Sequence, residues 1–399
     1  MQRFLIHYAE IGLKKSNRSH FEGRLIHNIY HAARGLGVSA VRRLYGRMLL
    51  ETNPNAAPAE AIVERLQRVY GIAHIEPVTA VGLDLAAARE VVTKWGAAGG
   101  FESFAVRTRR VNKDFPHSTY EISCDLGKAI GDASGARVDL DNPERVFDVI
   151  VLNREIFLYH ERFEGPGGLP VGTAGRVALL LSGGIDSPVA GERMLRRGCS
   201  LEFIHFHSAP YTDASSREKA VELAGKLVEH RQDASVHLVP IGALQQRIVS
   251  EAPSAYRVIL YRRYMLRLAE RIAIRRKCKA MATGESIGQV ASQTLENLSV
   301  LDRTVHMPIL RPLITYDKVE IVSVAREIGT YPISIEPGDD CCSFLLPPKP
   351  VTAARFREVV QIEVKLEIDE LLREAYNASE RVRVGAAPTK PSAPKAMPS

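Results

Sequence analysis

Leu179-Leu180-Leu181 runs directly into Ser182-Gly183-Gly184-Ile185-Asp186-Ser187-Pro188. An apolar strand that meets two glycines and then a helix start has few ways to fold. The glycines let backbone N–H groups come close to an anion, and the N-terminus of the following helix adds a favourable dipole. Ser187 is a good N-cap, and Pro188 suits the first helical position. The spacing predicts a phosphate cradle at the carboxyl end of a parallel strand, where open α/β sheets place their ligands. The loop lacks the Gly-Lys-Ser/Thr ending of a Walker A motif. A plain glycine turn is the bland alternative.

The pattern around the loop agrees. Buried-strand candidates at 177–181, 201–206, 235–241 and 280–283 alternate with long helical segments, which predicts a parallel sheet covered by helices on both faces. A chain of 399 residues is too long for one compact core. The best boundary is 165–173, where four glycines and two prolines fall in nine residues. Before it the grammar is α+β. Strands are expected at 4–8, 41–48, 103–108, 145–152 and 156–162, with helices at 20–34, 58–68, 83–94 and 120–130. The Ala/Pro/Lys/Ser composition at the end predicts a disordered tail.

Hydrophobic residues make up 45% and charged residues 25%, an ordinary soluble composition. No apolar run approaches the ~20 residues needed to cross a bilayer. The opening residues read as a strand rather than a secretory signal, so a cytoplasmic protein without membrane contact is expected. The formal charge of +7 favours a polyanionic partner, though weakly. The five cysteines fit no disulfide framework. Cys124, Cys199 and Cys278 read as ordinary semi-buried thiols.

The loop at 182–187 resembles the PP-loop of the ATP pyrophosphatases, whose pattern is SGGxDS. After it come Thr283-Gly284-Glu285-Ser286, Arg311-Pro312-Leu313 and Glu336-Pro337-Gly338-Asp339-Asp340-Cys341-Cys342. In this order and spacing they resemble the tRNA 4-thiouridine synthetase family. Tyr8 to Lys14, Val69-Tyr70-Gly71-Ile72 and Phe104 to Arg110 resemble the family's N-terminal half, which includes a THUMP RNA-binding module. The resemblance implies an α/β fold, a PP-loop ATP pyrophosphatase parallel sheet preceded by α+β ferredoxin-like and THUMP domains. The expected division is 1–58 ferredoxin-like, 59–165 THUMP, 166–175 linker, 176–378 catalytic and 379–399 disordered tail.

The same resemblance implies ATP and Mg2+ as cofactors. Asp186 would help place magnesium and the reacting phosphate, with Ser182, Gly183, Gly184 and Ser187 around the phosphates. Leu180, Leu181, His205 and Phe206 would read adenine, largely through backbone groups, and Arg262, Gly284 and Gln293 match the remaining ATP positions. Without the family match, His205 and Phe206 read equally well as strand packing, and Gln293 as a solvated helix residue.

Exchange of a uridine oxygen for sulfur needs an activated oxygen and a nucleophilic sulfur. ATP supplies the first by adenylating uridine O4, and a cysteine persulfide can supply the second. Cys341 matches the family's catalytic cysteine, with adjacent Cys342 as the alternative by one position. Asp339 and Asp340 would raise a thiol pKa, so activation must come from elsewhere in the fold. Two inert thiols are the bland reading. Adjacent cysteines also give poor spacing for an iron–sulfur cluster. Longer members add a rhodanese domain. Its absence here argues against internal persulfide delivery and against a role in thiamine thiazole synthesis. Cys342, or an external carrier fed by a cysteine desulfurase, could complete the exchange.

Arg263, Arg267, Arg271 and Arg275 recur every four residues and are expected to line one helical face able to meet RNA phosphates. A solvated face is the alternative. Arg107, Arg109, Arg110 and Lys113 form a second basic cluster, and tRNA would be recognised by shape rather than by duplex bases. The expected reaction converts uridine 8 of tRNA to 4-thiouridine and releases AMP and pyrophosphate. A homodimer stays open. The rival readings are another PP-loop ligase and a catalytically silent tRNA-binding protein.

Overall fold

The computed structural model describes all residues except 9, 15, 45, 212–213, 338–346 and 386–399. The chain divides into two compact units, Met1–Gly168 and Leu169–Ser399.

The N-terminal unit carries β1 (Arg3–Tyr8), α1 (Arg18–Ala32), β2 (Val38–Leu44), β3 (Arg47–Thr52), α2 (Ala59–Leu66) and β4 (Ile72–Gly82). It continues with α3 (Leu85–Ala98), β5 (Ser103–Arg110), α4 (Thr119–Ser134), β6 (Arg137–Val138), β7 (Arg145–Val151), β8 (Glu155–Tyr159) and β9 (Phe163–Glu164). The strands form one sheet in the order β2-β3-β1-β4-β8-β7-β5-β6, with β9 against β4. The strand expected at 41–48 is a hairpin of two antiparallel strands. Gly46, at φ 74°, takes the left-handed conformation that such a turn requires.

The eleven-residue β4 escaped the sequence reading because His74, Glu76 and Pro77 break its apolar alternation. It joins the two halves of the unit by pairing with β1 through its first part and with β8 through its last. A boundary at 58 does not suit this core. Ile62, Val63 and Leu66 of α2 pack with Phe4, Ile6, Leu25 and Ile29, and the cluster extends to Ile75. A separate core gathers Phe104, Ile122, Leu126, Phe147 and Leu158. Leu5, Leu49, Ile150, Phe157 and Tyr159 form a third cluster that draws on both halves.

The C-terminal unit runs β10 (Arg176–Leu180), α5 (Asp186–Arg196), β11 (Ser200–His207), α6 (Ser215–Val228), β12 (Ala234–Pro240), α7 (Gly242–Glu251) and α8 (Arg257–Arg275). Then come β13 (Ala280–Ala282), α9 (Leu295–Asp302), β14 (Ile309–Leu310), α10 (Lys318–Glu327), α11 (Tyr331–Ser334), α12 (Phe356–Leu366), α13 (Asp369–Asn377) and β15 (Glu380–Val384). The sheet order is β14-β13-β10-β11-β12-β15. Its ladders are parallel except for β15, which pairs antiparallel with β12. A disordered tail from 379 is therefore corrected: 380–384 closes the sheet edge. Exposed charged residues on it, Glu380 and Arg381 among them, suit an edge strand.

The stripe on α8 also needs correction. Twelve of its nineteen residues are buried, so α8 is a core helix packed with Ile259, Tyr261, Leu268 and Ile272 inside. Arg263 is 2% exposed and binds both oxygens of Glu363 on α12, at 2.8 and 2.9 Å, and the Val300 carbonyl at 2.7 Å. Arg267 shares Glu363 at 2.8 Å. At 3.6 residues per turn, each four-residue step overshoots a full turn by about 40°. From Arg263 to Arg275 the stripe therefore rotates by roughly 120°, out of the core and into solvent. Arg271 and Arg275 are exposed. Removing one partner of a buried ion pair strands the other. Arg263→Ala should cost the C-terminal unit about 3 kcal/mol or more in urea unfolding, whereas Arg271→Ala should stay within about 0.5 kcal/mol.

Candidate active site

The chain leaves β10 for β11 and β12 on one side, then returns to place β13 and β14 on the other. At such a switch point the loops diverge and leave a crevice at the carboxyl ends of the strands. Here the crevice has a volume of 520 Å³. Every residue assigned to ATP from the sequence lines it except Gly183, and Asp186 lines it too. A larger cavity of 730 Å³ in the N-terminal unit has neither a glycine loop nor a cysteine in its wall.

The loop is held by its own serines. Ser182 N donates to Ser187 Oγ at 2.9 Å, the two hydroxyls meet at 3.1 Å, and Gly184 N donates to Ser182 Oγ at 3.3 Å. Ser187 is thus not the N-cap. The helix starts at Asp186, and Ser187, in its first turn, points back to close the loop. Gly284, just beyond β13, is pressed against this turn. A Cβ there would lie 2.7 Å from Ser187 N and 2.8 Å from the Asp186 carbonyl carbon. The close approach that demands glycine is to the loop's own backbone.

Asp186 receives Lys318 Nζ on Oδ1 and Gln289 Nε2 on Oδ2 at 3.0 Å. Sequence reasoning missed both residues. Lys318 opens α10, whose Asp317–Glu320 capping box is a readable start signal. A lysine there faces the positive end of the helix dipole, so its charge is best used on an anion. Lys219 of α6 lies over Gly183, whose Cβ would stand 3.3 Å from Lys219 Cδ, and donates to the Glu336 carbonyl at 2.6 Å.

Arg262 forms an ion pair with buried Glu285 and donates to the Ser292 carbonyl at 3.0 Å. Arg311 binds the same carboxylate. Asp186 and Glu285 are the only carboxylates lining the crevice among the described residues. With two arginines on Glu285, Asp186 is the acid that fits a magnesium–phosphate group. The Gln293 Oε1 atom is buried without a hydrogen-bond partner, a polar group suited to a ligand. His205 Nδ1 bonds the Leu181 carbonyl at 2.9 Å, and Leu181 N donates to Ile204 O at 2.8 Å. The Leu181 N–H is therefore spent on the ladder and does not read adenine. Burial, helped by the charges of Arg217 and His205, lowers His207 to about 4 and keeps it neutral.

The other assigned residues are dispersed. Arg107, Arg109 and Lys113 are exposed. Arg110 donates to the carbonyls of Asn112, Lys113 and His117, so it staples the 112–117 loop. Cys341 and Cys342 lie outside the described residues.

Comparison with known proteins decides the lineage. The family model for the thiamine biosynthesis protein ThiI matches residues 172–368, that for the ThiI ferredoxin-like domain 3–75, and that for the THUMP domain 85–161. A probable tRNA sulfurtransferase of Moorella thermoacetica is 39% identical over 95% of this chain and 97% of its own length. One from Thermus thermophilus is 44% identical over 94% and 91%. The chain belongs to the tRNA sulfurtransferase family. A solved 4-thiouridine synthetase–RNA complex with bound ATP superimposes with a TM-score of 0.89 at 35% identity, covering 96% of this chain and all of that one. The family's ferredoxin-like, THUMP and PP-loop parts thus account for both units of the fold. No helix among the described residues is long and apolar enough to cross a membrane.

Gly284→Ala should destabilise by about 1–3 kcal/mol through overpacking against backbone, and should weaken ATP binding in calorimetry. Unchanged ATP affinity would mean that the loop tolerates displacement.

Proposed function

We propose that this protein is an ATP-dependent tRNA sulfurtransferase that converts uridine 8 to 4-thiouridine. The observation that carries this reading is the self-braced SGGxDS loop in a switch-point crevice, in a chain 35% identical throughout to a 4-thiouridine synthetase with RNA and ATP bound. Loop N–H groups, Ser182 and Ser187 bind the triphosphate, Lys318 orients the reacting phosphate, and Asp186 would hold a magnesium ion that offsets its charge. Lys318 is well placed because it already contacts Asp186.

In the first half-reaction uridine O4 attacks the α-phosphorus and pyrophosphate leaves. In the second, the terminal sulfur of a persulfide on Cys341 attacks C4 and AMP leaves, giving a C4–S–S–Cys341 disulfide. Cys342, or a thiol of a persulfide carrier, then attacks the Cys341 sulfur and releases 4-thiouridine. The disulfide left behind must be reduced before the next turnover. A cysteine desulfurase would charge the carrier. Arg107, Arg109, Lys113, Arg271 and Arg275 supply exposed charge for tRNA phosphates.

Two variants separate the half-reactions. Asp186→Ala should stop tRNA-dependent pyrophosphate release while tRNA affinity is retained. Cys341→Ser should still release pyrophosphate and bind tRNA, yet form no 4-thiouridine from a persulfide donor by nucleoside mass analysis. Free sulfide should restore product in the second variant only, because any adequate nucleophile can attack the adenylated base. Wild-type thiolation by Cys341→Ser would move the assignment to Cys342 or to a metal cluster.

A further inference from the structure

A cluster in the N-terminal unit takes no part in this chemistry. His7 on β1 and His74 on β4 are directly opposed in the antiparallel register. Glu76 follows two residues after His74, so it shares that face of the sheet. Directly opposed and diagonal cross-strand neighbours are within side-chain reach. The two imidazoles stack with centroids 4.2 Å apart and planes 18° from parallel. Both turn Nε2 toward the same carboxylate, His7 at 3.1 Å from Oε2 and His74 at 3.5 Å from Oε1. One donor atom from each of the three residues lies within 4.8 Å of the others.

The carboxylate is held by arginine on one side and faces His7 on the other. Glu76 is 0% exposed. Its Oε1 accepts from Arg162 Nε at 3.0 Å and lies 2.9 Å from Arg162 Nη2. That contact fixes the orientation of the group, as outer partners of metal-ligating carboxylates do. Oε2 and His7 Nε2 are buried and face each other at 3.1 Å. The Nε2–H tautomer of neutral His7 can satisfy the pair by a hydrogen bond, whereas the other tautomer leaves two lone-pair atoms that a metal ion can bridge. The histidine side chains are 22% and 23% exposed, so solvent can reach a further coordination position.

We propose that His7, His74 and Glu76 bind a divalent transition-metal ion, with zinc as the best match. Zinc takes imidazole nitrogen and carboxylate oxygen at about 2.0–2.2 Å and often leaves one tetrahedral position to water. Ligands in that geometry stand roughly 3.3 Å apart, close to the two donor separations seen here. Magnesium and calcium prefer oxygen ligands, so two imidazoles select against them. The ion would tie β1 to β4, and through Arg162 to the segment after β8. It would act as a staple where the two halves of the unit meet, with no part in sulfur transfer.

The test uses the full-length protein, stripped with a chelator and dialysed, then titrated with Zn2+ against a chromophoric competitor and with Co2+ by visible absorption. The wild type should take up one ion with a nitrogen/oxygen-type Co2+ spectrum, and Zn2+ should raise its unfolding temperature. His7→Ala and His74→Ala should each weaken binding by at least about tenfold and lose the thermal shift. Arg162→Gln removes only the orienting contact on Glu76, so it should weaken binding by about 10–100-fold while the Co2+ spectrum stays nitrogen/oxygen-type. Equal uptake by the wild type and the His7→Ala/His74→Ala double variant, or no uptake by either, would overturn the assignment. If the histidine variants do not fold, the wild-type Co2+ spectrum decides. Absent d–d bands, or a thiolate charge-transfer band, would equally refute the site.

Discussion

The backbone of Gly284 rests on the first turn of α5 with no room for a Cβ, and the crevice depends on this contact. It brings the carboxyl end of β13 against the loop that leaves β10, although about a hundred residues separate them in the chain. Parallel pairing makes the meeting possible, because crossover connections return every strand in the same direction. Once the two ends touch, the other partners fall into place. Gln289 and Lys318 reach Asp186, and Arg262 and Arg311 share Glu285. A loop braced in this way is ordered before any phosphate arrives, so little ordering is left for binding to accomplish.

Charge in this protein is divided between construction and recognition. The net charge of +7 does not reveal the division. Arg263 is buried on Glu363, while half-buried Arg110 holds three carbonyls and half-buried Arg276 holds Glu202 beside His237. Arg263 and Arg276 satisfy carboxylates, Glu363 and Glu202, that would otherwise be costly to bury. Exposed arginines such as Arg107, Arg109 and Arg271 have no such duty imposed by the core. An arginine's role therefore follows from whether a carboxylate or a carbonyl shares its environment, which is a property of the neighbours.

Local pattern made much of the fold legible. The strands at 177–181, 201–206 and 235–241 each lie within one residue of β10, β11 or β12 or overlap them closely, because buried parallel strands read as continuous apolar runs. Helices α1 to α4 were equally visible from apolar spacing. What escaped was β4, whose Pro77 and charged residues hide its alternation, and β15, whose sequence reads as tail until β12 offers it an edge. The hairpin of β2 and β3 was merged into one strand because a two-residue turn leaves little trace in the pattern.

By itself the sequence determined the phosphate loop, the parallel sheet behind it and the family, since each is written in contiguous residues whose chemistry needs no distant partner. Only the tertiary structure decided that Ser187 closes the loop and does not cap the helix, that Lys318 and Gln289 meet Asp186, and that Arg263 belongs to the core. It alone placed His7 opposite His74 and diagonal to Glu76. All of these depend on which elements lie side by side. A side chain's partner is set by strand register and helix rotation, and a shift of one residue along a strand, or of 40° around a helix, is enough to exchange core for solvent.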